Sequence, residues 1–103
     1  IQGSVPDVII PSEIKIEPSY PNPFNGSVVI PFVAPMHQDT KISIFNIMGK
    51  RVSERILSSN DIGAGKIIWS PNENGGDNIS SGVYIIRMTS GVKKAESKIM
   101  FIK

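Results

Sequence analysis

Residues 69–88 read WSPNENGGDNISSGVYIIRM, and this stretch decides the fold. It joins two apolar segments through a run of Asn, Asp and Gly, residue types that adopt turn and left-handed backbone conformations at little cost. The chain can therefore reverse, or pass from one sheet to another, within residues 72–78. After Gly82 the side chains alternate between two faces, with Tyr84, Ile86 and Met88 on one and Val83, Ile85 and Arg87 on the other. One face is fully apolar, which predicts a central strand of a packed sheet.

Further strand-like segments, separated by turn signals, occur on both sides of this strand. The predicted strands cover residues 13–17, 27–34, 40–47, 50–57, 66–70, 82–88 and 92–102. Residues 50–59 also fit a short helix, but the Gly49 turn between two alternating runs favours a hairpin. The pattern predicts an all-β protein, an antiparallel sandwich of about seven strands.

Three local features give more detailed predictions. Pro31 lies inside the predicted strand 27–34, and because proline lacks a backbone N–H, this strand is expected to be an edge strand or to carry a bulge. Tyr20 and Phe24, in the proline-rich turn after the first strand, are expected to fold over one end of the core. Val52 and Ile56 are expected to share a face of their strand.

Size and composition indicate one domain without cross-links. The chain has 103 residues and no cysteine, which excludes disulfides, thiolate zinc sites and thiol chemistry. Residues 1–12 contain two prolines and predict a linker, with a short edge strand at residues 8–10, followed by a domain over residues 13–103. No apolar run approaches the roughly 18 residues of a membrane span, so membrane insertion is not expected.

The charge distribution does not indicate a nucleic-acid partner. The net charge is +2, although the segment from Arg87 onward has five basic residues and one acidic residue. A basic last strand can contact an anionic partner. A solvated strand face is the favoured interpretation.

The sequence offers no reaction centre. His37 is the single histidine and lies among loop residues, so we expect a surface side chain. The acids are scattered, which predicts neither a catalytic triad nor a carboxylate pair, and an enzyme is not expected. Asn72, Glu73, Asn74 and Asp77 could supply oxygen ligands to Ca²⁺, but they lack the spacing of a calcium loop and are better interpreted as turn residues. No metal or cofactor is expected.

Five segments together carry a family resemblance. They are YPNPFNGSVVIPF (20–32), ISIFNIMGKRV (42–52), GAGKIIW (63–69), SGVYIIRM (81–88) and KIMFIK (98–103). In this order they look like the C-terminal sorting domain of the type IX secretion system, type A, which is similar to the Ig-like domain of flagellar hook-capping proteins. The resemblance covers about residues 13–103.

The resemblance implies a seven-stranded Ig-like sandwich that follows a covalently attached N-terminal cargo protein. Such domains bring the cargo from the periplasm through an outer-membrane translocon to the cell surface, where a sortase typically removes them. The implied cut lies within residues 1–12 or before them. Ser70-Pro71 departs from the acidic residue and glycine of many relatives, which leaves the geometry of that turn open.

The resemblance and a physical argument together suggest which face is recognised. The family's Gly-x-Tyr element matches Gly82-Val83-Tyr84, and its basic and apolar terminal strand matches Lys98–Lys103. A signal that is read after folding needs a fixed surface, and a terminal strand held in a sheet supplies one. The expected recognition residues are Gly82, Tyr84, Lys98, Ile99, Met100, Phe101, Ile102 and Lys103.

Two alternatives from other classes stay open at this point. One is a structural or adhesive Ig-like spacer attached to a secreted enzyme. The other is a carbohydrate-binding module with Trp69 exposed for sugar stacking, although a lone Trp in a short strand is most simply a core side chain.

Overall fold

The chain forms two antiparallel sheets in the computed structural model, which describes residues 14–34, 39–57, 64–71 and 79–103. The strands are β1 (Lys15–Ile16), β2 (Val28–Val33), β3 (Thr40–Asn46), β4 (Arg51–Leu57), β5 (Ala64–Trp69), β6 (Gly82–Ser90) and β7 (Lys93–Phe101). One sheet has the order β1-β2-β5 and the other β4-β3-β6-β7. The described part of the chain contains no helix, and the predicted Ig-like sandwich is confirmed.

The chain changes sheets between β5 and β6, as the turn-rich stretch predicts. β5 ends the three-stranded sheet, whereas β6 lies inside the four-stranded sheet between β3 and β7. Residues 72–78 of the crossing, with their candidate calcium ligands, lie outside the described residues. β6 is therefore the central strand that the sequence predicts.

A single apolar core lies between the sheets. From β6, Tyr84, Ile86 and Met88 all point into it and are almost fully buried. The other buried hydrophobic residues are Phe24, Val28, Ile30, Phe32, Ala34, Ile42, Ile44, Ile67, Trp69, Ile79, Ile99 and Phe101. Because both sheets contribute to the cluster, neither sheet buries its apolar face without the other.

The expectation for Pro31 is wrong, because β2 is the middle strand of its sheet and keeps a regular register with β5 through Pro31. The Pro31 carbonyl accepts a hydrogen bond from the Glu17 N–H at 2.9 Å. In an antiparallel ladder the N–H and C=O of one residue point to the same side, so the missing donor faces the β1 side. β1 ends at Ile16, so Pro31 lies opposite the chain just beyond the end of that short strand.

Val52 and Ile56 do not share a face. Ile44 pairs with Ser53 and Phe45 pairs with Arg51, so β4 carries one extra residue, Val52, at this point. Such a bulge shifts the alternation of side chains by one position. Val52 consequently packs against the core, whereas Ile56 is 66% exposed.

The turns follow their sequence signals more closely. Gly49 and Gly91 have φ values of 88° and 63°, so both hairpin turns use the left-handed backbone that glycine tolerates. The prediction for the proline-rich turn is half right: Phe24 is buried, whereas Tyr20 is 51% exposed. The predicted first strand is present but spans two residues instead of five.

Candidate recognition surface

The terminal strand β7 lies at the edge of the four-stranded sheet and pairs with β6 along its whole length. The register runs from Ser90 opposite Lys93 to Gly82 opposite Phe101. Because the backbone groups of a strand alternate in direction, the even-numbered residues of β7 point their N–H and C=O groups away from β6. This outward edge is where a further strand or loop can add.

A loop covers the last part of this edge, and we call its residues 22–24 the clasp. The Phe24 N–H donates to the Met100 carbonyl at 2.9 Å, and the Ile102 N–H donates to the Phe24 carbonyl at 2.8 Å. The Asn22 side chain extends the pairing: its amide donates to the Lys98 carbonyl at 3.3 Å and accepts from the Met100 N–H at 3.0 Å. The clasp thus satisfies the outward backbone groups of β7 from the Lys98 carbonyl to the Ile102 N–H.

The clasp rests on an aromatic cluster beneath the end of β7. The Phe24 ring lies 5.1 Å from the Phe101 ring and 5.8 Å from the Trp69 ring, centroid to centroid, and Trp69 lies 5.8 Å from Tyr84. Tilted and edge-on arrangements at these distances are favourable. Trp69 is only 6% exposed, so it is a core side chain with no ring face free to stack on a sugar.

Tyr84 ties this cluster to the segment that enters β6. Its hydroxyl donates to the Ser80 carbonyl at 2.6 Å, four residues upstream, in the manner of the tyrosine corner of Ig-like sandwiches. Burial raises the pKa of the Tyr84 phenol, because the charged phenolate would lose its hydration. Tyr84 is therefore held neutral and fixed in place.

Gly82 opens β6 with a φ of 154°, a backbone conformation that other residues rarely adopt. Next to it, the Ser81 hydroxyl oxygen accepts from the Lys103 N–H at 2.7 Å. The last residue of the chain is thereby held against the start of the central strand.

The expected recognition residues separate into two groups in the structure. Tyr84, Ile99 and Phe101 are buried, at 4%, 1% and 1% exposure, and can contribute only by supporting the surface above them. Those that reach solvent are Lys98, Met100, Ile102 and Lys103, while Gly82 is half-buried. Any partner that contacts this region directly touches the second group.

One ion pair joins β6 and β7 among the described residues. The Arg87 Nε atom lies 2.7 Å from a Glu96 carboxylate oxygen, and the guanidinium carbon lies 4.9 Å from the centre of the Phe45 ring. Both partners of the ion pair are about half exposed, so the pair adds little stability. It does hold the Arg87 guanidinium over the Phe45 ring.

Sequence reasoning missed the role of Asn22. The sequence places Asn22 in the proline-rich turn, but the turn's partner on β7 lies 76 to 78 residues away. Two sequence features together could have indicated this contact. An amide side chain both donates and accepts hydrogen bonds, so it can pair with the backbone of a strand, and an apolar terminal strand needs cover along its edge. Both Tyr20-Pro21 and Asn22-Pro23 are cis peptide bonds.

The described ranges hold neither a cluster of metal-ligating side chains nor a membrane-spanning helix. No cluster of three or more His, Cys, Asp or Glu side chains occurs among the described residues. These residues also include no helix long and apolar enough to cross a membrane. His37, and the short edge strand predicted at residues 8–10, lie outside the described residues.

Comparison with known protein families identifies the family of this domain. The family model for the secretion system C-terminal sorting domain matches residues 19–103, which include the clasp, the aromatic cluster and the terminal strand. The chain belongs to this family. The resemblance that the five sequence segments carry is thus confirmed. A search of curated proteins gave no match.

Two solved structures share the fold of this sorting domain. Dimeric latent PorU from Porphyromonas gingivalis superposes with a TM-score of 0.69 at 19% identity, over 95% of this chain and 10% of that one. PorZ, a bacterial surface component of the type-IX secretion system of Porphyromonas gingivalis, superposes with a TM-score of 0.60 at 18% identity, over 85% of this chain and 11% of that one. The sorting domain thus spans about a tenth of the length of each.

Proposed function

We propose that this sorting domain is a non-catalytic secretion signal that directs a covalently attached cargo protein through the type IX secretion system to the cell surface. The observation that carries the proposal is the family match over residues 19–103. A sortase then removes the domain by cutting within residues 1–12 or before them. The partners of the domain are in this view the outer-membrane translocon and the sortase components.

The geometry supports recognition through shape. The terminal strand is hydrogen-bonded to β6 on one side and to the clasp on the other, so Lys98, Met100 and Ile102 have fixed positions on the surface. A partner that binds a fixed surface does not bear the entropy cost of ordering it. We propose that these exposed residues, together with Lys103 and Gly82, form the recognised face, with Tyr84, Ile99 and Phe101 supporting it from below.

The test is a secretion assay with an inert exported reporter fused to residues 1–103 in a host that has this secretion system. We expect the reporter at the cell surface, and we expect it in the periplasm when residues 99–103 are deleted. Normal surface display of the truncated fusion would contradict the proposal.

The deletion also removes Ile99 and Phe101 from the core, so it can act through unfolding. Met100→Glu changes an exposed side chain and leaves the core intact. It should retain the fluorescence and unfolding midpoint of the parent chain while reducing surface display. A structural or adhesive spacer predicts the opposite result: the reporter reaches the surface whether or not the domain is attached.

A further inference from the structure

We infer that the outward face of the four-stranded sheet, at its Gly82 end, docks a partner protein whose contact surface is apolar in the centre and acidic at the rim. The inference deepens the proposed function, since the partner would be a receptor of the export machinery. It moves the contact from the terminal strand alone to a surface that β3, β6 and β7 build together.

The apolar part of this surface, which we call the outer patch, consists of Phe45, Val83, Ile85, Met100 and the turn residues Ile47 and Met48. Register places Phe45 opposite Ile85 and Val83 opposite Met100. Because strand side chains alternate, these four lie on the face opposite to the buried core residues of the same strands. The outer patch is thus continuous across three strands.

The turn residues make the outer patch more prominent. Ile47 is 75% exposed and Met48 is 86% exposed, in the β3–β4 turn next to the start of β6. Two consecutive large apolar side chains in a hairpin turn contribute nothing to the core. Methionine adapts its shape easily to an apolar partner, which suits a binding surface.

Shallow depressions run along the same face. One of about 320 Å³ is lined by Phe45, Ile47, Ile85 and Arg87, and one of about 350 Å³ by Pro23, Val83, Lys98 and Met100. A third, also of about 350 Å³, lies at the Gly82 end of the sheet rather than on this face, between the β3–β4 turn and residues 79–84. Protruding side chains of a partner fit such a relief better than a smooth membrane surface does, which favours a protein as the occupant.

The charges around the outer patch favour an acidic partner. β6 and β7 carry one acid between them, Glu96, and Arg87 neutralises it at 2.7 Å. Glu54, on β4, lies within ion-pair distance of Lys41 and Arg51. Lys50 and Lys98 line the depressions as well, and no carboxylate of the described residues lies within ion-pair distance of either. Carboxylates at the partner's rim would complement these lysines, whereas a second copy of this chain would bring like charges together.

The test uses the reporter fusion with Ile47→Asp and Met48→Asp together. The matched control is Ile68→Asp with Val92→Asp, two apolar side chains that are 52% and 99% exposed away from the outer patch. We expect the patch variant to lose about tenfold of its surface reporter, as loss of a central apolar contact does, with the control within about twofold of the parent. Lys98→Glu should also reduce export, and Lys66→Glu, on β5, should not.

The purified chains supply the folding control and the test of other occupants. Equal urea midpoints for the parent and the variants exclude unfolding as the cause, and if the double variant is destabilised, the Lys98→Glu and Lys66→Glu pair decides. If light scattering shows that the parent chain is a dimer and that the patch variant is a monomer, the outer patch binds a second copy of this chain and the inference is wrong. If the parent chain binds phosphatidylglycerol vesicles and the patch variant does not, the outer patch binds a membrane and the inference is wrong.

The export result separates this inference from the proposed function. If the parent fusion reaches the surface and the patch variant does so equally well, the outer patch is not the docking surface, while the proposed function stands. If the parent fusion itself stays in the periplasm, the proposed function is wrong and this inference fails with it.

Discussion

At the scale of single residues, two polar side chains hold the candidate recognition surface together. Tyr84 uses its hydroxyl to fix the entry of the central strand, and Asn22 uses its amide to pair with the backbone of the terminal strand. Each joins parts of the structure that apolar packing alone would bring together without a fixed geometry. Their contributions can be measured separately, because they lie on different elements.

Removing the Tyr84 hydroxyl should weaken the fold without creating a cavity. In Tyr84→Phe the ring stays in the aromatic cluster, but the Ser80 carbonyl loses its donor at 2.6 Å. We expect the free energy of unfolding to fall by about 1 kcal/mol, the usual value of one hydrogen bond, in urea denaturation. Tyr20→Phe is the control, because Tyr20 is 51% exposed, and an equal loss in both variants would contradict this role for Tyr84.

The raised pKa of Tyr84 also predicts how stability depends on pH. The unfolded chain loses the phenol proton near pH 10.0, whereas the folded chain retains it to higher pH. The folded state then binds more protons, so this contribution to stability is complete below about pH 10 and decreases as the pH rises through the folded pKa. Urea midpoints from pH 8 to 11 should fall less steeply for Tyr84→Phe than for the parent chain; parallel curves would refute the assignment.

Loss of the Asn22 amide should loosen the end of the chain. Asn22→Ala removes two hydrogen bonds to β7, and we expect about 1–2 kcal/mol of destabilisation. Asn22→Asp should also destabilise the fold, because a carboxylate can still accept from the Met100 N–H but cannot donate to the Lys98 carbonyl. Asn25→Ala, at an exposed position of the same loop, is the control. If Asn22→Ala and Asn25→Ala unfold at the same urea concentration, the amide does not stabilise the strand.

At the scale of elements, the edge of β7 is protected in two ways along its length. The apolar part, from Lys98 to Phe101, is covered by the clasp. The part before it reads KKAES and carries charged side chains, which discourage pairing with other chains. An apolar strand edge without either protection would be an aggregation site.

Amide hydrogen exchange should reveal this division. We expect slow exchange at Met100 and Ile102, whose N–H groups are bonded to the clasp, and fast exchange at Lys94 and Glu96, whose N–H groups face the open edge. In Asn22→Ala, exchange at Met100 should accelerate while the inward amides of β7 stay protected. Equal protection at all four outward amides would contradict the described pairing of the edge.

Local sequence patterns were enough to predict most of the elements but not how they are placed. Alternation identified the strands and the inward face of β6, because a period of two is a local property. The position of Pro31 in a middle strand depends on how short β1 is, and the inward turn of Val52 depends on a bulge. The clasp and the outer patch were not predicted, because both join residues from distant elements.

At the scale of the whole molecule, the two sheets share one core, and neither is expected to be stable alone. Trp69 lies on the three-stranded sheet and contacts Tyr84 on the four-stranded sheet, so its fluorescence reports on the packing of one sheet against the other. We expect blue-shifted emission that resists quenching, and an unfolding midpoint in urea that coincides with the midpoint from far-ultraviolet circular dichroism. Separate midpoints would show that the sheets unfold independently.

The clasp has a consequence for when the domain becomes complete during its synthesis. Its hydrogen bonds join Asn22 to residues 76 and 78 positions later, so they cannot form until Met100 has left the ribosome. A polypeptide that stops before Lys98 would lack the part of β7 that the Asn22 amide holds. A transport apparatus that selects its cargo by this closed shape would thereby reject polypeptides that stop before the terminal strand, with no separate step to check them.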